Sequence, residues 1–260
     1  MTAAGRMPSG SIEVSEERGI RYLHFGSELV QGAMRIARPW SLELEYTRDL
    51  MLPLVLRDRT PASVLQLGLG AASITRYLHH HFPATRLTVV EIDPRVIATA
   101  HQCFRLPEES AHLRIVEGEA HAFVAGSKTR FDLIVMDAFD DKGRTGSLDT
   151  AAFYAAARAR LRADGMMSAN FLTRRRGIAA SEARMREAFD GHVVVLPPPE
   201  AGNTVAVMGN EPPIDADLDE LRHRASRLRE ATGLNLLPAL ARLAGSRPGA
   251  FRARRESASP

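Results

Sequence analysis

Short apolar segments alternate with segments of helical spacing through the middle of this chain, and this alternation most constrains its fold. The apolar runs lie at residues 64–67, 87–90, 113–116 and 131–136. Short, mostly apolar runs of this length are typical of strands that are covered on both faces. Strands separated by helices predict a mostly parallel sheet with helices packed on each side of it.

The remaining predicted elements extend this sheet toward both ends of the chain. In chain order they are a small β-element at 11–38, a helix from 39 to about 56, an alanine-rich helix at about 150–163, a strand at 166–172, a helix at about 179–189, strands at 193–195 and 205–208, and helices at 218–231 and 238–243. The two late strands lie close together in sequence, which favours an antiparallel edge. The predicted fold is therefore α/β: a doubly wound, mostly parallel Rossmann-like sheet with an antiparallel edge hairpin and a small N-terminal β-element.

The positive charge of the chain is concentrated near its C-terminus. The chain has 34 lysines and arginines against 31 acidic residues, and residues 241–260 hold five of those arginines against one acid. The rest of the sequence is nearly neutral, so nucleic-acid binding, which needs a clustered basic face, is not expected of the folded body. The other basic run, residues 174–176, has the pattern of a solvated loop.

Composition also argues against several other classes of protein. No apolar stretch is long enough to span a bilayer, and residues 1–11 lack the apolar core of a secretory signal. The single cysteine, Cys103, cannot form an intrachain disulfide or a thiolate metal cluster. The consecutive histidines at 79–81 would point in different directions on a helix and make a poor chelate. We therefore expect a cytoplasmic protein with no membrane segment and no metal.

Candidate binding residues follow the first two central strands, where a doubly wound sheet collects its ligands. Gly68 and Gly70 form a tight turn that lets the backbone approach a ligand, although any strand-to-helix turn can use glycine. Ser73 stands where a dinucleotide-binding pattern has its third glycine. Glu91 ends the next strand about 20 residues further on, where a carboxylate can accept hydrogen bonds from both ribose hydroxyls. A solvated strand-end acid is the alternative, and the combined spacing favours an adenosyl nucleoside site.

Acidic residues follow the next two strands as well. Glu119 follows the third strand, where its carboxylate or the neighbouring backbone can contact an adenine amino group; an acid at the N-terminus of the following helix is the competing interpretation. Asp137 ends the most apolar strand, so we expect it at the mouth of the cleft, with Asp140 and Asp141 close behind it. Clustered carboxylates there attract a cationic substrate, and one of them can accept a proton from an attacking amine. Capping and loop solvation account well for Asp140 or Asp141 and less well for Asp137.

These residues resemble the spermidine synthase (polyamine aminopropyltransferase) family, whose core has the fold of class I adenosylmethionine-dependent methyltransferases. The resemblance covers about residues 11–209 and rests on the segments at 64–70, 89–93 and 131–140. It implies decarboxylated S-adenosylmethionine or S-adenosylmethionine as co-substrate, a small-molecule amine as acceptor, and no metal. The roles that it implies are donor binding by Gln31, Gly68, Gly70, Glu91 and Glu119, amine binding by Tyr46 and Asp140, and proton acceptance by Asp137.

Three positions depart from the pattern of that family. Ala71 stands where the family has an aspartate that helps to hold the aminopropyl group, and Thr47 stands where the family has a glutamine. The family also places a tyrosine in a proline-containing loop, and the loop at 197–202 has none. Three functions therefore stay open: aminopropyl transfer to an amine, methyl transfer from S-adenosylmethionine, and nucleoside binding without turnover.

The same reasoning predicts how the chain is organised. The expected parts are a disordered N-terminus at 1–10, the β-element at 11–38, a Rossmann-like nucleoside-binding transferase domain at 39–212, C-terminal helices at 213–246 and a basic tail at 247–260. A homodimer is compatible with the sequence, which does not decide the oligomeric state.

Overall fold

A three-stranded antiparallel sheet begins the structure. The computed structural model describes residues 10–26, 30–57, 59–139, 145–173, 177–198, 202–214 and 216–246. The first three strands are β1 (Ile12–Glu17), β2 (Ile20–Phe25) and β3 (Val30–Arg35), with β2 between the other two. This sheet is the predicted N-terminal β-element.

The second sheet has seven strands, and helices follow most of them. In chain order the remaining elements are α1 (Glu45–Asp49), α2 (Pro53–Leu56), β4 (Ser63–Leu67), α3 (Ser73–His81), β5 (Arg86–Glu91), α4 (Pro94–Cys103), β6 (Leu113–Glu117), α5 (Ala120–Gly126), β7 (Phe131–Met136), a 3₁₀ turn (Gly146–Leu148), α6 (Ala151–Ala159), β8 (Leu161–Leu172), α7 (Ala179–Ala188), β9 (Val193–Leu196), β10 (Asn203–Gly209), α8 (Leu218–Thr232) and α9 (Leu237–Ser246).

The strand order of the second sheet is β6-β5-β4-β7-β8-β10-β9. Strands β4 to β8 run parallel, whereas β10 is antiparallel to both β8 and β9. The predicted α/β fold with an antiparallel edge hairpin is confirmed. The order reverses beside β4, and a sheet of this kind binds its ligands at such a reversal, outside the carboxyl ends of the strands.

The single helix predicted from 39 to about 56 is wrong in its extent. The structure has the two short helices α1 and α2 instead, joined by hydrogen bonds that span three residues, such as the one from the Met51 amide to the Arg48 carbonyl. Pro53 has no N–H to donate to a preceding turn, and it occupies the first position of α2, where no such donor is needed.

The alanine-rich helix ends at Ala159 rather than at about residue 163. Leu161 already pairs with Phe131 of β7, and the register between β7 and β8 shifts before Met166 pairs with Leu133. Pairing with the neighbouring strand therefore overrides the helix propensity of the alanine-rich segment.

Helices cover both faces of the seven-stranded sheet. Buried apolar residues from α2, α3, α4, α8 and α9 pack on one face, and those from α5, α6 and α7 pack on the other. Gln66, Asp137 and Asn170 lie on the first face at the carboxyl ends of β4, β7 and β8, because side chains alternate along a strand. The site is built around these polar residues, and the division of the chain into five parts stays a prediction.

Candidate active site

The turn after β4 brings three strand ends together. The Gly68 amide donates to the Val90 carbonyl at 2.9 Å, and the Asp137 amide donates to the Leu67 carbonyl at 2.9 Å. Gly68 has a φ of +91°, and a Cβ at this position would lie 2.2 Å from the carbonyl oxygen of Asp137. Only glycine allows the turn to lie this close to the backbone of Asp137.

The next residues tie this turn to the N-terminal sheet. Gly70 and Ala72 have positive φ values of 52° and 54°. Ser73, which stands in place of a third glycine, donates its hydroxyl proton to the Ala33 carbonyl of β3 at 2.9 Å. The position that departs from the dinucleotide-binding pattern therefore joins β3 to the start of α3.

Glu91 is buried at the end of β5, beside the same turn. Its Oε2 accepts a hydrogen bond from the Leu69 amide at 2.8 Å, and its Oε1 accepts one from the Asp93 amide at 3.0 Å. Burial raises the pKa of Glu91, and the hydrogen bonds from backbone amides oppose this rise. A carboxylate has about four lone-pair positions, and the backbone amides of Leu69, Ile92 and Asp93 hydrogen-bond to this one, so it can still accept a hydrogen bond from a ligand hydroxyl.

Asp137 follows β7 and lies half-buried beside the Gly68 turn. Its Oδ1 accepts a hydrogen bond from the Asn170 amide group at 2.9 Å, and the Tyr46 hydroxyl lies near enough to its carboxylate to lower the pKa. Burial raises the pKa of Asp137 to about 6, although the hydrogen bonds from Asn170 and Tyr46 lower it. A carboxylate with a raised pKa is a stronger base than an ordinary aspartate while staying ionised near neutral pH.

Asn170 is a site residue that sequence reasoning missed. It is buried in β8, and its Oδ1 has no hydrogen-bond partner among the described residues. Ser168, two residues earlier on the same face of β8, also has a buried hydroxyl without a partner there. Two polar residues inside a buried strand were the available signal, because buried polar groups that are left unpaired cost stability and usually have a specific role.

Tyr46 extends from α1 over the end of β7. Its hydroxyl lies 3.5 Å from the Gln31 carbonyl oxygen, and burial together with the charge of Asp137 raises the pKa of the phenol. Both residues line an inner pocket of about 10 Å³, room for about one water molecule. The described residues that line it are Gln31, Gly32, Tyr46, Thr47, Gln66, Leu69, Gly70, Ala71, Ser73, Ile74 and Asp137.

Two of the positions that depart from the family pattern also line this pocket. Ala71 is buried against Gly32 of β3, where an added Cβ would lie 2.5 Å from the Ala71 Cβ. Thr47 donates its hydroxyl proton to the Leu44 carbonyl at 2.6 Å, one turn back. Among the described residues, Asp137 is therefore the single carboxylate that lines the inner pocket, and the other polar side chains there are neutral.

Glu119 acts as the N-cap of α5. Its carboxylate accepts hydrogen bonds from the Ala122 amide at 2.6 Å and from the Ser147 hydroxyl at 3.0 Å. The competing interpretation of this acid, a role at the helix N-terminus, is therefore realised, and the residue does not line the inner pocket. Asp140 lies outside the described residues, as do Asp141 and the arginine run at 174–176.

Two absences concern the part of the chain that the structure describes. Within it, no group of three or more histidine, cysteine, aspartate or glutamate side chains is placed to hold a metal ion. None of the helices in these ranges combines the length and the apolar character needed to cross a membrane.

We expect Asn170→Leu to move the acidic limb of the activity profile toward higher pH. The leucine has a similar volume but removes the N–H that favours the ionised carboxylate, so the pKa of Asp137 should rise above its value of about 6. A charge-assisted hydrogen bond of about 1.5–3 kcal/mol corresponds to a shift of about one to two pH units. The measurement is kcat as a function of pH.

Ser168→Ala is the matched control, because it removes a neighbouring polar group on the same strand that bonds nothing in the described structure. Its acidic limb should coincide with that of the wild type. An unchanged limb in Asn170→Leu would contradict the role given to the amide.

Comparison with known proteins agrees with this geometry. A family model described as the spermine/spermidine synthase domain matches residues 43–208. A polyamine aminopropyltransferase of Neisseria meningitidis is 33% identical over 237 residues, which cover 91% of this chain and 90% of that protein. Another from Chromobacterium violaceum is 33% identical over 223 residues, covering 86% and 85% of the two chains.

A solved structure has the same fold. A probable spermidine synthase from Corynebacterium glutamicum superposes with a TM-score of 0.71 at 19% identity, covering 90% of this chain and 95% of that one. The extent of the family match and the identity to the relatives lead to one conclusion. This chain belongs to the spermine/spermidine synthase family, and is similar over most of its length to enzymes that are polyamine aminopropyltransferases.

Proposed function

We propose that this protein transfers an aminopropyl group from decarboxylated S-adenosylmethionine to a small-molecule amine, with Asp137 as the base. The observation that carries the proposal is the placement of Asp137. Its carboxylate has a pKa raised to about 6 and is held by Asn170 and Tyr46 beside the Gly68 turn. Membership of a family whose relatives are aminopropyltransferases supports the same reaction.

The reaction is an in-line displacement at the carbon beside the positive sulfur. The acceptor nitrogen forms a bond to this carbon as the carbon–sulfur bond breaks, and the electron pair of that bond leaves with sulfur as a neutral thioether. Asp137 takes one proton from the acceptor nitrogen, so charge balances without an acid to assist the leaving group. Orientation of the two reactants supplies the rest of the acceleration, on the order of 7–11 kcal/mol in ideal cases.

The donor would lie across the carboxyl ends of β4 and β5. Glu91 would accept hydrogen bonds from the ribose hydroxyls, and Gly68, Gly70 and Gln31 would approach the rest of the nucleoside. Both glycines have positive φ values, and the Glu91 carboxylate can still accept a hydrogen bond, which fits this placement. The inner pocket of about 10 Å³ is too small for a nucleoside, so it would receive only the reacting groups beside Asp137.

Three further assignments belong to this proposal. Glu119 would lie near the adenine, and because its carboxylate caps α5, the contact would come from the backbone around it. Asp140 would attract the distant amine of the acceptor through its charge. Tyr46 would contact the acceptor from α1, beside the base.

We expect Glu91→Gln to weaken the binding of any adenosyl ligand. Glutamine has one acceptor oxygen, so its NH₂ group would face the Leu69 or the Asp93 amide, and a ribose hydroxyl would also lose a charged partner. Each lost charge-assisted hydrogen bond is worth about 1.5–3 kcal/mol, which corresponds to about a tenfold to hundredfold weaker Kd. Calorimetry with decarboxylated S-adenosylmethionine measures this Kd.

Glu117→Gln provides the control. Glu117 pairs in register with Glu91 on the neighbouring strand but is exposed, so its variant should bind the donor like the wild type. Equal affinity of Glu91→Gln and the wild type would remove Glu91 from the site.

The proposed reaction is tested with the wild-type protein, both adenosyl donors and a mixture of diamines and polyamines, with products read by mass. The expected result is an amine heavier by one aminopropyl group, formed only from the decarboxylated donor. A methylated product from S-adenosylmethionine, or no product from either donor, would contradict the proposal.

A further inference from the structure

Arg242 is one of the five arginines counted at residues 241–260, and it falls in the last of the predicted C-terminal helices. It lies on α9, and its side chain is 18% exposed. Each nitrogen-bearing arm of the guanidinium has a partner: Nη2 meets Asp49 at 2.5 Å, Nη1 meets Glu45 at 3.1 Å, and Nε donates to the Pro197 carbonyl at 3.0 Å. One side chain thus joins α9 to α1 and to the loop after β9.

The helix that Arg242 holds is the one that bears Tyr46. Helix α1 has only five residues, and its N-cap residue, Leu44, makes no side-chain hydrogen bond to it. So short a helix has little stability of its own, and its orientation depends on contacts with other elements. Arg48 ties the helix to the preceding residues 42 and 43, which are its own neighbours in sequence. Arg242 ties it to a distant element.

The partners of Arg242 lie at both ends of α1. Glu45 and Asp49 are four residues apart and therefore lie on one face of the helix, so the planar guanidinium spans its whole length. Asp49 is buried, with a side chain that is 7% exposed, and Arg242 is its principal cationic partner. A buried carboxylate without a cation is costly, so α1 cannot turn away from α9 without leaving Asp49 unpaired.

We propose that Arg242 is a positioning residue for the transfer reaction. It holds α1 and the Pro197 loop so that the Tyr46 hydroxyl stays beside the carboxylate of Asp137. The inference rests on the proposed function for its kinetic consequence only. Tyr46 and Asp137 line the same inner pocket, so a loosened α1 moves the phenol away from the base and disturbs the side of the pocket that would receive the amine.

The test uses the double variant Asp49→Leu/Arg242→Met, because replacing both members of a buried ion pair by apolar residues avoids an unpaired charge and preserves folding. The first measurement is the titration of Asp137, followed by NMR of carboxyl-labelled aspartate in the whole protein. We expect its pKa to rise by about half a unit or more, since the ionised form loses the Tyr46 donor. The second is steady-state kinetics with putrescine, where we expect about a tenfold higher KM for the amine with an unchanged donor Kd.

Arg158→Met is the matched control. Arg158 also uses three guanidinium nitrogens to join separate segments, at Asn210, Ala188 and Asp190, on the far side of the sheet. Its loss should lower the melting temperature without moving the Asp137 titration or the KM for putrescine. Arg242→Lys keeps the positive charge but loses the planar guanidinium that reaches several partners at once. Its KM for putrescine should lie between those of the wild type and the double variant.

An unmoved Asp137 titration in the double variant would overturn the inference, and so would an equal change in Arg158→Met. The titration needs no turnover. If the wild-type protein forms no product from any amine, the proposed function fails, while the titration still decides whether Arg242 positions Tyr46.

Discussion

Replacement of Asp137 by asparagine should lower kcat by about 10²–10⁴ and leave the donor Kd unchanged. Asparagine keeps the size of the side chain but cannot accept the proton of the attacking amine, and loss of a general base typically has this effect. The donor contacts proposed for Glu91 and the Gly68 turn do not involve the Asp137 carboxylate. Single-turnover kinetics with a diamine and calorimetry with the donor separate the two quantities.

The same variant should change the pH dependence of stability. In the folded protein the pKa of Asp137 is raised to about 6 from an ordinary value of 3.8, so the folded state holds this proton more tightly than the unfolded state. The group therefore lowers stability as pH rises from about 4 to about 6, and Asp137→Asn should lose this component of the decline. Thermal melts across that range measure the difference.

Asp219→Asn is the control for both measurements, since Asp219 is exposed on α8 and pairs only with Arg222 among the described contacts. A near-normal kcat in Asp137→Asn would show that the base is another group.

Replacement of Gly68 by alanine should abolish stable folding or lower stability by about 4 kcal/mol or more. The added methyl group would meet the carbonyl oxygen of Asp137 at 2.2 Å, which is backbone and cannot rotate away, and the φ of +91° is itself unfavourable for alanine. Chemical denaturation gives the free energy of unfolding.

Two glycine variants calibrate this result. Gly70→Ala has only the strain of its φ of +52°, with the nearest atom at 3.7 Å, so about 1–2 kcal/mol is expected. Gly118→Ala meets no atom within 4 Å and should be nearly neutral. If the free energy of unfolding of Gly68→Ala equals that of the wild type, the close approach of the two backbones is not required for folding.

The sheet and the positions of Glu91 and Asp137 could be predicted because they depend on local sequence. Short, mostly apolar runs identify β4, β5 and β7, and the residues that follow them must reach the same edge of a parallel sheet. Where two local tendencies competed, the local argument failed. Alanine-rich sequence continues past Ala159, but the pairing of Leu161 with Phe131 decides in favour of a strand.

The rest of the site could not be predicted because it depends on contacts between distant residues. Asn170 reaches Asp137 only because β8 lies beside β7, and the sequence around Asn170 does not predict which strand is its neighbour. Arg242 and Asp49 are 193 positions apart, and a C-terminal arginine looks the same in sequence whether it is solvated or buried. Glu119 shows the converse case, because the helix N-terminal role, which was the alternative to adenine binding, depends on local sequence and is the one the structure contains.

The contact between Gly32 and Ala71 has a consequence for how this site can change during evolution. The two residues share one volume between the N-terminal sheet and the turn after β4, since a methyl group on Gly32 would lie 2.5 Å from the one already on Ala71. Mutations at the two positions are therefore epistatic: glycine at 71 removes the clash with alanine at 32, which would then lie 3.1 Å from the backbone nitrogen of residue 71. A lineage that carries Ala71 must retain Gly32. Exchange of the two residues requires the substitution at 71 to come before the substitution at 32.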